Sequence, residues 1–407
     1  MPWHDRLVDL AGMRSLLTPE GWALLEALPP YDEKAAFALG ERLRAEGHDP
    51  ALVAAALTQA RLRARGRDKL GPFADAMLFT PDGLEQATRL SVAAHHARRF
   101  VGAGCRRVLD LGCGLGSDAM AFAGLDLGVL AYDADELTAA LATVNLRHWP
   151  EAEVRCADVT TLDVASLVAA GDGVWLDPAR RTGSGGVARR TFDPEAFSPP
   201  YSFVLDVAAR VPATGAKLAP GIAHRLLPPD AEAQWVSVGG DVVECALWCG
   251  SLARSGVQRS ALLLDGAGGV HELVSGEPSS AQVGPVGGWL HEPDGAVIRA
   301  GLVAEVAHSI GGRLLDPTIA YLTTQHPVAT PFARSYAVED VLPFHVKALR
   351  AYLRDRRVGT LTIKKRGSAV DPDQLRRQLR LSGPESATIA LTRVDGRPHV
   401  LVLRPVA

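Results

Sequence analysis

The chain has 407 residues, 47% of them apolar, and a formal net charge of −3 at pH 7. That length predicts two or three domains and allows a sizeable core. The near-neutral balance excludes a whole-chain field for nucleic acid or membrane, so any basic footprint must be local. Cys105, Cys113, Cys156, Cys245 and Cys249 form no paired C-x-x-C arrangement. Their sparseness fits a reducing cytosol and argues against a structural zinc site. The N-terminus lacks an apolar h-region, and no run approaches the length of a membrane span. The expectation is a soluble cytoplasmic protein with neither metal nor membrane partner.

Residues 1–100 read as helices. "PEGWALLEALP" follows a Thr18-Pro19 start signal, and "DEKAAFALGERLRAEG" runs from acids to Arg44 and Gly47, as a helix dipole favours. Two further helical stretches, "DPALVAAALTQARLRARGRDKLG" and "GLEQATRLSVAAHHARRFVGAG", complete this region. From about 105 the texture changes to short apolar runs: "RRVLDLG", "GVLAYD", "AEVRCAD", "GDGVWLDP", "SFVLDVA" and "GAKLAPG". Helix-compatible segments such as "DELTAALATVNLRHW" separate several of them, which predicts βαβ units and a parallel sheet. "AQWVSVGGDVVECALWCG" predicts a hairpin around Gly239-Gly240 that ends this sheet with an antiparallel strand. "RSALLLDGAGGVHELV" suggests another hairpin, and one helix is expected between Gly295 and Gly311. The last segment, from about 335, reads as a distinct unit: helix ("EDVLPFHVKALRAYLRDRRVG"), strand ("TLTIKKRG"), helix ("DPDQLRRQLRL") and two strands around Asp395-Gly396.

The stretch "VLDLGCGLGSD" carries the chemistry. Gly112, Gly114 and Gly116 follow the first strand of the parallel sheet, where such sheets offer ligands a crevice. The spacing differs from the G-x-G-x-x-G of dinucleotide sites, and Asp110 precedes the glycines. A carboxylate there would repel a pyrophosphate, so a cationic or amine-bearing ligand is favoured. Asp133 ends the second strand, 17 residues past Gly116, where it can accept both ribose hydroxyls. Asp158 follows the third strand, where it can meet an adenine amino group. Amine, ribose and adenine together describe S-adenosylmethionine.

At these residues the sequence resembles the class I S-adenosylmethionine-dependent methyltransferases. "DLGCGLG", "YDAD" and "CAD" match that family's first three motifs in order and spacing, over about residues 100–250. The resemblance implies an α/β fold with a Rossmann-like, seven-stranded type of sheet. It also implies that Asp110, Gly112, Gly114, Gly116, Asp133 and Asp158 hold S-adenosyl-L-methionine. The fourth strand then leads into Asp177-Pro178-Ala179-Arg180-Arg181, whose end faces the methyl group in this fold. Methyltransferases acting on base amino groups carry D/N-P-P-Y/F there, with the aromatic residue stacked on a flipped base. This chain has the Asp and one Pro but no aromatic. It is closer to the D-P-P-R of RNA 5-methyluridine enzymes, which need a cysteine nucleophile. Cys245 and Cys249 read instead as core residues of one strand face. Asp177, Pro178 and Arg180 are the expected catalytic group. Arg181, with Arg189 and Arg190 in the Gly/Ser-rich stretch behind it, is a candidate for substrate phosphate, against a salt bridge or a solvated loop.

From Lys347 to Arg380 there are 11 Lys/Arg against three Asp. Lys364, Lys365 and Arg366 stand at a strand-to-helix turn that suits phosphate. The element order resembles the THUMP-like domain found at the C-terminus of some bacterial class I methyltransferases, which implies RNA as partner. The reading is therefore four segments: helical 1–100, methyltransferase 101–260, a small linking α/β piece 261–334 and a basic THUMP-like domain 335–407. The expected function is methylation of a tRNA or rRNA base. The alternatives are a methyltransferase for protein or small molecule, and a non-catalytic RNA-binding protein with the same fold.

Overall fold

A computed structural model describes residues 12–180, 193–266, 268–276 and 280–406. It forms two compact units, Met1–Leu218 with Trp248–Ala253, and Ala219–Leu247 with Arg254–Ala407.

The first unit opens with helices α1 (Pro19–Ala27), α2 (Ala36–Ala45), α3 (Pro50–Leu70), α4 (Pro81–Gln86) and α5 (Leu90–Gly102). Three of them start alike. Thr18, Asp49 and Thr80 accept hydrogen bonds from the amides of Gly21, Leu52 and Gly83, and a proline follows each cap. The cap satisfies an orphan amide, worth about 1 kcal/mol each, and proline fits the first helical position. The α5 helix buries Val92, Ala93, His96, Ala97 and Phe100 at helical spacing. After it come β1 (Arg107–Leu111), α6 (Ser117–Ala123), β2 (Gly128–Asp133), α7 (Glu136–Asn145), β3 (Ala152–Cys156), α8 (Val164–Leu167) and β4 (Asp172–Leu176). The short strands β5 (Ala179–Arg180) and β6 (Phe197–Ser198) pair antiparallel, then α9 (Tyr201–Arg210) and β7 (Ala213–Leu218) follow. These larger strands are parallel and lie in the order β7-β4-β1-β2-β3. The register brings their carboxyl ends level: Leu111 pairs with Tyr132 and Leu176, Asp133 with Cys156, and Leu176 with Ala216.

One expected strand is a helix. "SFVLDVA" lies in α9, which buries Tyr201, Val204 and Val207. That period of three is helical; a half-buried strand would alternate by two.

Strands β8 (Glu232–Val238) and β9 (Asp241–Gly250) flank Gly239-Gly240 as the sequence suggests, but this hairpin does not end its sheet. A further strand, β10 (Arg259–Leu264), pairs in parallel with β8, and β11 (Val270–Val274) pairs antiparallel with β10. The single helix expected between Gly295 and Gly311 is two, α10 (Gly295–Ala300) and α11 (Val303–Ser309), broken where Gly301 takes a left-handed φ of 72°. The rest of the second unit is a seven-stranded sheet. It is built from β12 (Trp289–Pro293), β13 (Arg313–Asp316), β14 (Ile319–Thr324), β15 (Ala333–Pro343), β16 (Val358–Lys365), β17 (Glu385–Val394) and β18 (Arg397–Pro405). Helices α12 (Val346–Asp355) and α13 (Pro372–Leu379) seat Leu349, Leu353, Leu375 and Leu379 against β16, β17 and β18.

The backbone pairing shows no break at 335. "EDVLP" is strand, not helix, and position 335 lies inside β15. On one side β15 pairs with β12, on the other with β18. Leu290, Leu315 and Tyr321 share a core with Ala390, Leu401 and Leu403. The linking piece and the C-terminal segment are one sheet.

Candidate active site

The parallel register sets an acid beside the ends of β1, β2, β3 and β4. Asp110, near the end of β1, is 1% exposed, and neither carboxylate oxygen has a hydrogen-bond partner. Burial pushes its carboxyl well above the usual carboxylate range, and Asp118, Asp177 and Asp133 add to the shift, while Lys217 opposes it. An unpaired buried carboxyl is costly unless something arrives to satisfy it.

The loop behind Asp110 needs its glycines. Gly112 has φ 94°, and a Cβ there would sit 2.9 Å from the Asp177 carbonyl oxygen. Gly114 has φ 56° with nothing within 4 Å of an added Cβ, so the loop is open on that side. Gly116 (φ 85°) caps α6. Asp133 accepts from the Gly114 amide at 3.0 Å and from the Asp135 amide at 2.9 Å. Its carboxylate therefore ties the end of β2 to the glycine loop; burial raises its pKa, and those two amides oppose the rise. Asp158 is exposed, and one of its oxygens accepts from the Thr160 amide (2.9 Å) and hydroxyl (2.7 Å).

At the fourth strand, Asp177 Oδ2 accepts from Lys217 Nζ at 2.7 Å. Lys217 was not singled out by the sequence. The register explains the pair: Leu176 lies opposite Ala216, so the next residues along, Asp177 and Lys217, face each other. Lys217 also donates to Thr88 Oγ1 at 3.1 Å and to the Gln86 carbonyl at 3.5 Å. Beneath lies a second acid. Asp118 is 2.7 Å from His96, which stacks 4.2 Å from Trp175. Burial alone would raise the Asp118 carboxyl, but His96, Lys217 and Thr88 bring it below its ordinary range. The sequence signal available was a lone lysine at the end of an apolar strand.

Two buried amides missed by the sequence hold the segment ahead of α4. Gln59 bonds both the amide (2.8 Å) and the carbonyl (2.7 Å) of Phe79. Asn145 does the same for Leu78 at 2.7 and 3.1 Å, and also donates to the Leu115 carbonyl at 3.0 Å. That chain of bonds fastens the helical region to the glycine loop. Phe79 is fully buried in this packing.

The other expected residues fall as follows. Pro178 follows Asp177 directly, only the backbone of Arg180 is described, and Arg181, Arg189 and Arg190 lie outside the described residues. Cys245 is fully buried, and burial, with Glu244 nearby, pushes its thiol well above the usual range, against a nucleophile. In the second unit Lys364 is 2.6 Å from Glu292, and Arg366 lies 3.8 Å from the same carboxylate. They also stack over Tyr336 and Tyr321. Only Lys365 of the three is exposed. Among the described residues no group of His, Cys, Asp and Glu could hold a metal ion, and no helix is long and apolar enough to cross a membrane.

Comparison with known proteins places this geometry. Residues 333–405 match the THUMP domain-like family, and residues 9–66 match a domain family of unknown function. A crystal structure from Porphyromonas gingivalis W83, assigned there as a methyltransferase, superposes with a TM-score of 0.71 at 20% identity, covering 93% of this chain and 100% of that one. Two strains of Mycobacterium tuberculosis, CDC 1551 / Oshkosh and ATCC 25618 / H37Rv, carry relatives described as uncharacterized S-adenosylmethionine-dependent methyltransferases. Each is 36% identical over 341 residues, 82% of this chain and 90% of theirs. The chain belongs to the S-adenosylmethionine-dependent methyltransferases.

Proposed function

We propose that this methyltransferase modifies a base in tRNA or rRNA. The observation that carries the RNA reading is the THUMP domain-like match over 333–405, in a stretch where 11 Lys/Arg face three Asp between Lys347 and Arg380. The cofactor reading rests on fit. The unpaired Asp110 carboxyl and the open side of the Gly114 loop suit a cationic ligand. Asp110 would complement the cationic methionine end, Asp133 the ribose diol and Asp158 the adenine amine. Asp133 keeps lone pairs for hydroxyls beyond its two backbone bonds. Gly112, Gly114 and Gly116 give the close backbone approach.

S-adenosylmethionine, when bound, supplies a methyl group on a sulfonium that is open to direct displacement. The chain's own work is then positioning. Asp177 would accept an N–H of the acceptor amine, its carboxylate held by Lys217. Pro178 would line the transfer site beside it, and Arg180 and Arg181 would meet a backbone phosphate of the substrate. The ion pairs of Lys364 and Arg366 with Glu292 leave Lys365 as the more available cation of that turn.

Nucleoside mass spectrometry of RNA from cells with and without the gene tests this reading. Loss of one methylated nucleoside from tRNA or rRNA is expected. Unchanged RNA nucleosides, with methyl label from the cofactor entering protein or a small molecule, would replace it with the alternative substrate class.

A further inference from the structure

Helices α12 and α13 lie side by side on the C-terminal sheet, their leucines turned into the core. On their outer side Arg350, Gln374, Arg377, Gln378 and Arg380 line one open basin. Arg350 donates through Nη2 to the Gln378 carbonyl, and Arg354 reaches the Arg380 carbonyl at 3.5 Å, so α12 arginines are docked on the end of α13. Arg350 Nε is buried and has no hydrogen-bond partner. The basin contains no acid. Asp371 caps its own helix, Asp373 pairs with Arg376, and Asp340 pairs with Arg356. Among the described residues Arg350, Arg377 and Arg380 pair with no carboxylate. Elsewhere in this unit acids do neutralise cations: Glu292 takes Lys364 and Arg366, and Glu232 and Glu272 take Arg254.

We infer that this arginine–glutamine basin between α12 and α13, not the Lys364–Arg366 turn, is the surface that grips the RNA backbone. The inference rests on the RNA reading above and adds the place of contact. Guanidinium groups suit phosphate through paired, charge-assisted hydrogen bonds. Glutamine amides between them supply neutral donors and acceptors, the complement of ribose 2′-hydroxyls. The left-handed backbone at Arg380, φ 49°, places that side chain at the helix end, where the carbonyl of the same residue is already bonded to Arg354. A lipid surface would call for apolar side chains beside the cations, and the lining has none.

The test uses the full-length protein and a deproteinised tRNA pool, with affinity measured across a salt series. One variant carries Arg350→Gln, Arg377→Gln and Arg380→Asn; a second carries Lys364→Gln, Lys365→Gln and Arg366→Gln. Circular dichroism and cofactor titration confirm that both fold. The basin variant should bind at least about tenfold more weakly, with a salt slope smaller by about 2 units, since each phosphate contact contributes about 0.7–0.9. The turn variant should lose about one unit or less, in line with one exposed lysine. A parent protein that binds with a clear slope, and a basin variant that matches it, would overturn the placement while leaving RNA as substrate. A parent protein with no salt-dependent binding would overturn the RNA reading and the basin with it. Binding to anionic vesicles that is stronger than to RNA, and lost in the basin variant, would assign the surface to a membrane instead.

Discussion

Replacing Lys217 by Met removes a cation that pairs directly with Asp177. The ammonium bonds Asp177 at 2.7 Å, Thr88 at 3.1 Å and the Gln86 carbonyl at 3.5 Å. Both partners of the ion pair are largely shielded, at 19% and 28% side-chain exposure. A hydrogen bond to a charged group is worth about 1.5–3 kcal/mol, and stripping one partner from a buried pair costs about 3–5 kcal/mol. Partial exposure puts this pair between them, at about 2–3 kcal/mol of stability. The same loss frees the Asp177 carboxylate, and a misplacement of about 1 Å can lower turnover about a hundredfold. Cofactor affinity should change much less than turnover, because the hydrogen bonds of Asp133 to the glycine loop do not involve Lys217 and its effect on Asp110 is electrostatic only. The assays are thermal unfolding, calorimetric cofactor titration and methyl transfer to RNA, with a double-mutant cycle against Asp177→Asn. The cycle should show a coupling of about 1.5 kcal/mol or more. Additive effects within about 0.5 kcal/mol, or unchanged turnover, would refute the claim that Lys217 positions Asp177.

Three further outcomes follow from the same geometry. Asp133→Ala should weaken S-adenosylmethionine binding at least about tenfold, since it removes both a diol acceptor and the two amide bonds that shape the loop; an unchanged titration would unseat that residue. Asp110→Asn should stabilise the cofactor-free protein as pH rises, while weakening cofactor binding. The native carboxyl, with a raised pKa, holds its proton where the unfolded chain has lost it, so parent stability falls with rising pH between the ordinary carboxylate value and the raised one. Within that pH window, cofactor binding that calls for the carboxylate should release a proton, seen as a buffer-dependent heat in calorimetry that the variant lacks. Arg254→Met should cost about 3–5 kcal/mol, because it takes a guanidinium from fully buried Glu232; urea unfolding within about 0.5 kcal/mol of the parent would contradict it.

What the sequence carried was local. The β1 strand, the glycine loop and the acids at 110, 133, 158 and 177 are contiguous signals, and the parallel register brings them to one edge. What it missed depends on partners far along the chain. Lys217 meets Asp177 only because β7 pairs with β4, 40 residues on. Lys364 looked available at a strand-to-helix turn, yet Glu292, 72 residues before it, neutralises it. The pairing around 335 was hidden for a related reason: a fresh helical pattern begins nearby, while β15 runs through that point and pairs on both sides. Deleting from 335 would therefore strip β12 of one of its two neighbours, so side-chain variants in the intact chain are the cleaner probe of RNA binding. The helix at Tyr201–Arg210 was misread because its apolar residues are dense enough to resemble a strand, while their buried spacing is three.

The most direct measurement is transfer of radiolabelled methyl from S-adenosylmethionine, by the purified protein, to RNA isolated from cells lacking the gene. The account predicts saturable, nuclease-sensitive label in tRNA or rRNA, abolished by Asp177→Ala with cofactor binding retained. Tight cofactor binding with no label in RNA, or label that resists nuclease and follows protein or small molecules, would contradict it.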